Sequence, residues 1–360
     1  MSGTSLDATD AALILTDGVQ VLEFGPVAER KYSTVERQIL QDATDAARAW
    51  NWTGPAPDDV FEAARRVVTH THAEAWEMLQ EGGGKGVVAT LAGVHGQTVL
   101  HRRSKPGQPG ATLQLIAPLG LQAAFGVPLA YDFRTADVAA GGQGAPLAPV
   151  YHGALLERAG DGASAVLNLG GVANITARMA DGTLFAFDTG PANGPIDEWV
   201  EGYGKGTHDV GGAFAAAGRV HEGLLVQLLD HDWFAELPPK SLDRYDFNAS
   251  MARGLSFEDG AATLTAFSAR AVAAGVAQLP DTPERVIVCG GGRHNPSMMA
   301  ALRGALPCAV LSAEDAGWRG DSIEAEAFAF LAARTVRGLP LSWPTTTGVP
   351  AAMTGGRLAG

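Results

Sequence analysis

A chain of 360 residues, 46% apolar and 18% charged, is too long for one ordinary core and too apolar to stay disordered, so two domains are expected. A net charge of −13 with no long run of Lys or Arg argues against a nucleic-acid groove. No apolar stretch approaches the ~20 residues of a membrane span, the two cysteines (Cys289, Cys308) give no disulfide framework or metal spacing, and a cytoplasmic protein is expected.

In chain order, Ala11–Leu15 and Val19–Phe24 around Asp17-Gly18 predict a β-hairpin. Helical periodicity covers Val35–Ala49 and Asp58–Leu79, the latter with Asp58 or Asp59 as N-cap. Val87–Leu91 and Val99–Leu100 read as strands flanking a loop, Gly93–Thr98. Tyr131–Phe133 reads as a short strand running into a glycine-rich loop, Gly141–Pro146. A second block starts near Ser164: Ala165–Leu169 and Ile175–Arg178 surround Gly170-Gly171, and Leu184–Phe187 ends at Asp188, repeating the plan of the opening hairpin. Helices are expected near Glu198–Glu201, Val220–His231 and Leu264–Gln278. Arg285–Cys289 is a buried-type strand entering Gly290-Gly291-Gly292, and a last helix, Ser322–Thr335, precedes a Pro-containing tail. Strands mixed with helices in both halves predict an α/β fold of two domains with the ligand cleft between them.

Several chemistries have no motif here. Gly82-Gly83-Gly84-Lys85 and Gly204-Lys205-Gly206 only approach a Walker A loop, and no dinucleotide fingerprint, HExxH or CxxC occurs. His70 and His72, two apart on a predicted helix, read as surface polar residues. The cluster His101-Arg102-Arg103, followed by Ser104-Lys105, reads as solvated loop or a local anion contact rather than a polyanion groove.

Loops of small and hydroxylated residues at strand ends are present instead. In Ser2-Gly3-Thr4-Ser5-Leu6-Asp7 the glycine lets backbone N–H groups approach an anion, Thr4 and Ser5 add hydroxyls, and Asp7 could hold Mg²⁺ directly or through water. Asn168-Leu169-Gly170-Gly171 could meet phosphates from another side, and Cys289-Gly290-Gly291-Gly292 offers bare backbone to a flat base or ribose. Asp188 in Phe187-Asp188-Thr189-Gly190-Pro191 would point from a strand terminus as a proton acceptor, or serve as a turn-capping Asp; spacing leaves both open. Cys289 reads as a small buried packing residue.

Read together, MSGTSLDATD (1–10), VHGQTV (94–99), DFRTADVAAGGQGAP (132–146), NLGGVANIT (168–176), FDTGPAN (187–193), PPKS (238–241) and CGGGRHNP (289–296) resemble the anhydro-N-acetylmuramic acid kinase family, in order over nearly the whole chain. The resemblance implies two actin-like (ribonuclease H-like) α/β domains with mixed sheets flanked by helices and ATP and sugar in the cleft between them. It places one domain over 1–145, with part of the tail 336–360, and the other over 146–335. It implies ATP-dependent hydrolysis of the 1,6-anhydro bridge of 1,6-anhydro-N-acetylmuramic acid and phosphorylation of O6, in peptidoglycan recycling, by a homodimer. On that likeness Asp188 is the general base. The first phosphate loop is Gly3, Thr4, Ser5, Leu6, Asp7, Ala8, Thr9 and Asp10, with Mg²⁺ at Asp7. Asn168, Gly170 and Gly171 form the second, Gly290, Gly291 and Gly292 the adenosine turn, and Thr98, Arg134 and Glu324 line the sugar pocket.

Three departures from the family pattern bear on these expectations. Ala8 stands where the family has Gly, and would be strained if that position needs positive φ. Ile116-Ala117-Pro118 replaces Gly-Asp-Pro. The family carries an apolar strand before MSGTSLD, so a start upstream of Met1 is expected. Two other readings stand beside the main one: a kinase of the same fold for another amino sugar, and a non-catalytic nucleotide or sugar sensor with an impaired phosphate loop.

Overall fold

In the computed structural model, which describes residues 1–360 apart from 4, 83–87, 105–106, 161 and 243–245, the opening hairpin is longer than predicted. β1 (Ala8–Thr16) and β2 (Val21–Lys31) pair antiparallel from Ala8 opposite Lys31 to Thr16 opposite Val21. Helix α1 (Thr34–Trp50) starts at a capping box in which Ser33 and Glu36 satisfy each other's backbone N–H, and Asn51 in a left-handed conformation ends it. Its Leu40, Ala43 and Ala47 pack with Phe61, Ala64 and Val68 of α2 (Asp58–Gly82), the helical spacing that drives the pair together. Asp58 and Asp59 lie within the first turn of α2, where their charge favours the helix N-terminus, rather than at its cap.

His72 departs from its surface reading. It is buried, its Nδ1 lies 2.7 Å from the Val68 carbonyl oxygen, and burial lowers its pKa to about 3, so it packs as a neutral ring. His70 is exposed as expected.

Next come β3 (Ala92–Gly93), β4 (Gln97–Arg102) and β5 (Ala111–Leu115). The strand predicted over 87–91 is displaced: Val87 lies outside the described residues, Val88–Leu91 form no strand, and pairing begins at Ala92. His101 and Arg102 close β4 instead of lying in a loop, while Lys105 is outside the described residues. Helix α3 (Pro118–Phe125) begins with Pro118, and its N-cap, Ala117, makes no side-chain cap hydrogen bond. An Asp there would accept from an otherwise unbonded N–H of the first turn. Ala117→Asp is therefore expected to raise stability by about 1 kcal/mol, read as a higher denaturant midpoint at unchanged slope.

β6 (Leu129–Tyr131) is followed not directly by the glycine-rich loop but by helix α4 (Thr135–Ala139), then by α5 (Pro149–Arg158). The chain then builds a second unit, 159–321, before returning to the first.

In the second unit β7 (Ser164–Leu169), β8 (Val172–Arg178) and β9 (Leu184–Pro191) form an antiparallel meander. Helices α6 (Asn193–Gly202), α7 (Ala213–Ala217), α8 (Glu222–Leu229) and α9 (Phe257–Val276) follow, then β10 (Arg285–Cys289), α10 (Pro296–Ala305) and β11 (Ala309–Ser312). β10 pairs parallel to both β7 and β11, giving one five-stranded sheet in the order β11-β10-β7-β8-β9. That mixed order is the ribonuclease H-like plan expected from the sequence. The core of this unit joins Leu167, Ile175, Val286 and Val288 of the sheet to Ala261, Leu264 and Val272 of α9, and burying such side chains stabilises by roughly 1.5–3 kcal/mol each.

The chain returns at α11 (Ile323–Val336) and ends in β12 (Arg357–Ala359), which pairs antiparallel with β6. Here the observed division, 1–158 with 322–360 against 159–321, differs from the boundaries expected at 145/146 and 335/336. Helices α5 and α11 belong to the first unit because of where their polar ends are held. Tyr151 of α5 donates to Glu326 of α11 in a buried bond. Arg158 Nη1 donates to Val21 O at 2.6 Å, and Arg334 Nη1 to Gly18 O at 2.6 Å. Among the described residues the strands of this unit form three separate sheets, β1-β2, β12-β6-β3 and β4-β5. The two halves share an opening hairpin but not a common sheet.

Candidate active site

The first loop turns much of itself inward. Leu6, Ala8 and Thr9 are buried, and Leu6 joins the core of α1 and α2. Thr9 Oγ1 bonds Tyr32 Oη at 2.9 Å and Thr71 Oγ1 at 3.1 Å. Ser5 and Asp7 are exposed, with Asp7 Oδ1 accepting from Ser5 Oγ at 2.6 Å and from Ala8 N at 3.0 Å. Asp10 is partly buried, and burial raises its pKa to about 6. Thr4 lies outside the described residues. The positive φ in this loop belongs to Leu6 (54°), whereas Ala8 opens β1 as ordinary strand, so the strain expected at Ala8 is absent. Leu6 tolerates left-handed backbone because its side chain is anchored in the core.

In the second unit the loops 168–171 and 289–292 meet because β10 and β7 are parallel neighbours: Cys289 lies opposite Asn168, so both strands deliver their loops at the same sheet end. Gly290 has φ 76°, and a Cβ there would fall 2.4 Å from Asn168 Oδ1 and 2.7 Å from Leu169 O, so only glycine permits this approach. Asn193 closes the group, its Nδ2 donating to Leu169 O at 3.0 Å and its N to Gly170 O at 3.0 Å. Cys289 is buried, as its packing reading requires.

Asp188 lies within β9 rather than at a strand end. β9 continues to Pro191, and the pairing shifts from Asn174 opposite Asp188 to Ala173 opposite Gly190, which makes Thr189 the extra residue of a bulge. A bulge re-aims the side chains beside it without ending the strand. The registers Asn168–Asn174 and Asn174–Asp188 set three polar residues in one transverse row. Side chains in such a row share a sheet face, and two strand spacings put its ends about 10 Å apart. Sequence reasoning missed Asn174; its signal was an amide side chain inside β8, between Ala173 and Ile175. Leu242 N donates to Asp188 Oδ2 at 2.7 Å, and Asp188 N to Lys240 O at 2.9 Å.

Beyond Gly291 and Gly292 opens a cavity of about 460 Å³ lined also by Asn193, Asp197, His208 and Asn295, large enough for a nucleoside. Burial, reinforced by Glu201 and Asp209 and opposed by His208, raises the Asp197 pKa from 3.8 to about 6. A folded-state pKa above the unfolded one gives stability that is present at low pH and lost as pH rises through about 6. Asp197→Asn, which mimics the protonated form, is therefore expected to stabilise the fold by about 1–2 kcal/mol at pH 8. The gain should vanish by pH ~4, as thermal unfolding at the two pH values would read.

In the first unit Thr98 and Arg134 are gathered around His95. Arg134 Nε donates to His95 Nε2 at 2.8 Å, and Thr98 Oγ1 lies 3.5 Å from the same nitrogen. A guanidinium can only donate, so Nε2 accepts and the His95 proton sits on Nδ1, 2.8 Å from Gly96 O. Burial and the Arg134 charge hold the His95 pKa well below its ordinary value, consistent with that neutral tautomer. Arg134 Nη1 also donates to Gly144 O at 2.7 Å. Burial lowers the Arg134 pKa to about 10, which leaves it charged at neutral pH. Gly144 is fixed in turn by buried Asp137, which accepts from Gly144 N at 2.7 Å and from the hydroxyls of Ser342 and Thr347. Glu324, in the first turn of α11, is open to solvent yet set deeply enough among protein atoms to raise its pKa, with the Arg134 charge opposing. His95, Gln114 (donating to Thr98 Oγ1 at 3.3 Å) and Asp137 were not singled out from sequence, although His95 and Asp137 stand in the strings 94–99 and 132–146 and Gln114 lies just before Ile116-Ala117-Pro118.

The described residues with metal-ligating spacing, Glu36, His70 and Glu74, surround a guanidinium already: Arg30 lies 2.5 Å from Glu36 and 2.7 Å from Glu74. Gly83, Gly84 and Lys85 of the near-Walker stretch lie outside the described residues. No helix among the described residues is long and apolar enough to cross a membrane.

The sequence profile described as anhydro-N-acetylmuramic acid kinase matches residues 1–359. The protein of that name from Caulobacter vibrioides is 54% identical over 362 residues, covering 100% of this chain and 97% of its own length. The one from Rhizobium rhizogenes is 51% identical with the same coverage. Among solved structures, the activator of the 2-hydroxyisocaproyl-CoA dehydratase from Clostridium difficile with bound ADPNP is 10% identical, covering 92% of this chain and 96% of that one, at a TM-score of 0.41. With its profile matched from the first residue to the penultimate one, the chain belongs to the anhydro-N-acetylmuramic acid kinase family.

Proposed function

We propose that this chain is an ATP-dependent phosphotransferase that opens the 1,6-anhydro bridge of 1,6-anhydro-N-acetylmuramic acid with water and phosphorylates O6, yielding N-acetylmuramic acid 6-phosphate and ADP. The observation that carries the reading is the transverse row Asn168–Asn174–Asp188, which sets a carboxylate on the same sheet face as the residue that begins the second phosphate loop.

In this scheme Asp188 takes a proton from water as the water oxygen bonds to C1 of the sugar. The C1–O6 bond breaks, O6 bonds to the γ-phosphorus, and the bond from that phosphorus to the ADP oxygen breaks. The proton leaves Asp188 after product departs. Asn168, Gly170 and Gly171 present amide groups to the phosphates, and Gly290 to Gly292 with the adjoining cavity take the nucleoside. Gly3, Thr4, Ser5, Leu6, Asp7, Ala8, Thr9 and Asp10 form the first phosphate loop; the buried members act through backbone and the exposed Ser5 through its side chain. Asp7, exposed and already oriented by Ser5 and Ala8, fits a Mg²⁺ that keeps most of its waters, and the ion would neutralise phosphate charge. Arg134 pairs with the lactyl carboxylate, while Thr98 and Glu324 take sugar hydroxyls.

The net charge of −13 suits a cytoplasmic enzyme of small metabolites in cell-wall recycling, working as a homodimer on no nucleic acid or membrane. ADP release from the purified protein tests the reading: it should require the anhydro sugar. ATP turnover indifferent to that sugar, or stimulated equally by another amino sugar, would overturn it.

A further inference from the structure

The PPKS stretch, Pro238 to Ser241, has no part in the scheme above, yet its lysine is built into the environment of Asp188. Lys240 is only 6% exposed. Its Nζ donates to Trp233 O and Phe234 O, each at 3.2 Å, and lies 4.4 Å from the Trp233 ring centroid. Those carbonyls belong to a short 3₁₀ helix, Asp232–Ala235, whose Trp233 and Phe234 pack with Leu242, Phe247 and Phe267. A buried ammonium is costly unless its protons are taken, so this one locks the 3₁₀ helix to the backbone on either side of residue 240.

That backbone is the strap along the outer edge of β9, the edge strand of its sheet. Lys240 O accepts from Asp188 N at 2.9 Å, and two residues on Leu242 N donates to Asp188 Oδ2 at 2.7 Å. The strap therefore pairs with Asp188 both through main chain and through the carboxylate.

Resting on the reading of Asp188 as the base, we propose that Lys240 is a positioning residue for the reaction, holding the strap so that the Leu242 N–H fixes the Asp188 carboxylate in its catalytic orientation. Loosening the strap costs orientation of the base, not substrate binding, because neither Lys240 nor Leu242 lines the nucleoside cavity or the Arg134 cluster. It also removes a donor that favours the charged carboxylate, so the base becomes harder to ionise.

The test is steady-state kinetics of Lys240→Met against wild type, with ATP and 1,6-anhydro-N-acetylmuramic acid, over pH 5 to 9. The expected result is a kcat lower by roughly 10- to 100-fold, with both KM values within about threefold. The acid limb of the kcat profile should move up by about half a pH unit or more. Lys240→Arg, which keeps a cation for the same carbonyls, should recover most of the loss; should Lys240→Met not fold, Lys240→Gln against Lys240→Arg reads the same contrast. An unchanged kcat, a loss with no movement of the acid limb, or Lys240→Arg no better than the neutral variant overturns the proposal. Asp188→Asn measured alongside separates the two ideas. If it keeps turnover, the base assignment falls and takes this inference with it. If it is inactive while Lys240→Met behaves as wild type, only the role of Lys240 falls.

Discussion

Asp188→Asn is expected to lower kcat by about 10³-fold or more while the ATP dissociation constant stays within about threefold of wild type. The substitution is nearly isosteric. Its amide oxygen can still accept from Leu242 N, and the main-chain bond from residue 188 to Lys240 O is untouched. What disappears is the capacity to take a proton from water, which no other group need lose. The cavity proposed to take the nucleoside is lined by other residues, so in this scheme ATP binding reports that the site is intact. Coupled ADP release gives the first quantity and calorimetric titration of ATP the second; substantial residual turnover would remove Asp188 from the mechanism.

The second large effect is expected at Arg134. Its plane is set by two anchors, His95 Nε2 at 2.8 Å and Gly144 O at 2.7 Å, so in the proposed scheme the lactyl carboxylate meets a guanidinium already oriented. A charge-assisted pair of this kind is worth about 3 kcal/mol. Arg134→Ala should accordingly raise the KM for the anhydro sugar about 100-fold with a much smaller change for ATP. Arg134→Lys should recover only part, since an ammonium lacks the planar fork. Part of any stability loss would come from leaving His95 Nε2 and Gly144 O without this donor, so thermal midpoints belong beside the kinetics. A sugar KM that stays unchanged would take Arg134 out of the sugar pocket.

Much of the second unit was legible in sequence because its elements are locally encoded. The apolar run Arg285–Cys289 is β10 to the residue, and the antiparallel turn at Gly170-Gly171 stands where its glycines put it. The first unit was less legible. Beyond its long opening hairpin, the sheet β12-β6-β3 is built from strands of only two or three residues, and the predicted strand over 87–91 gives way to Ala92–Gly93, a segment too brief for any periodicity to show. His72 looked like a surface residue because a helical period of polar and apolar positions says nothing about a histidine neutralised by burial. Ala8 looked strained by comparison with a glycine, yet the left-handed residue is Leu6, held by core packing that no local pattern announces.

The candidate site divides along the same line. The sequence by itself determined which loops carry glycine and hydroxyl groups, which carboxylate stands among them, and, through the ordered strings from residue 1 to 296, the family. Only the tertiary structure decided how those groups are aimed. Asp188 is bound by Leu242, 54 residues on; Arg134 is seated on His95, 39 residues back; and Asp137, which fixes the Gly144 loop, is held by Thr347, 210 residues on. Periodicity and turn chemistry act between near neighbours and can be read from them. The orientation of a charged side chain is set by hydrogen bonds and burial between segments that meet only after the chain has folded.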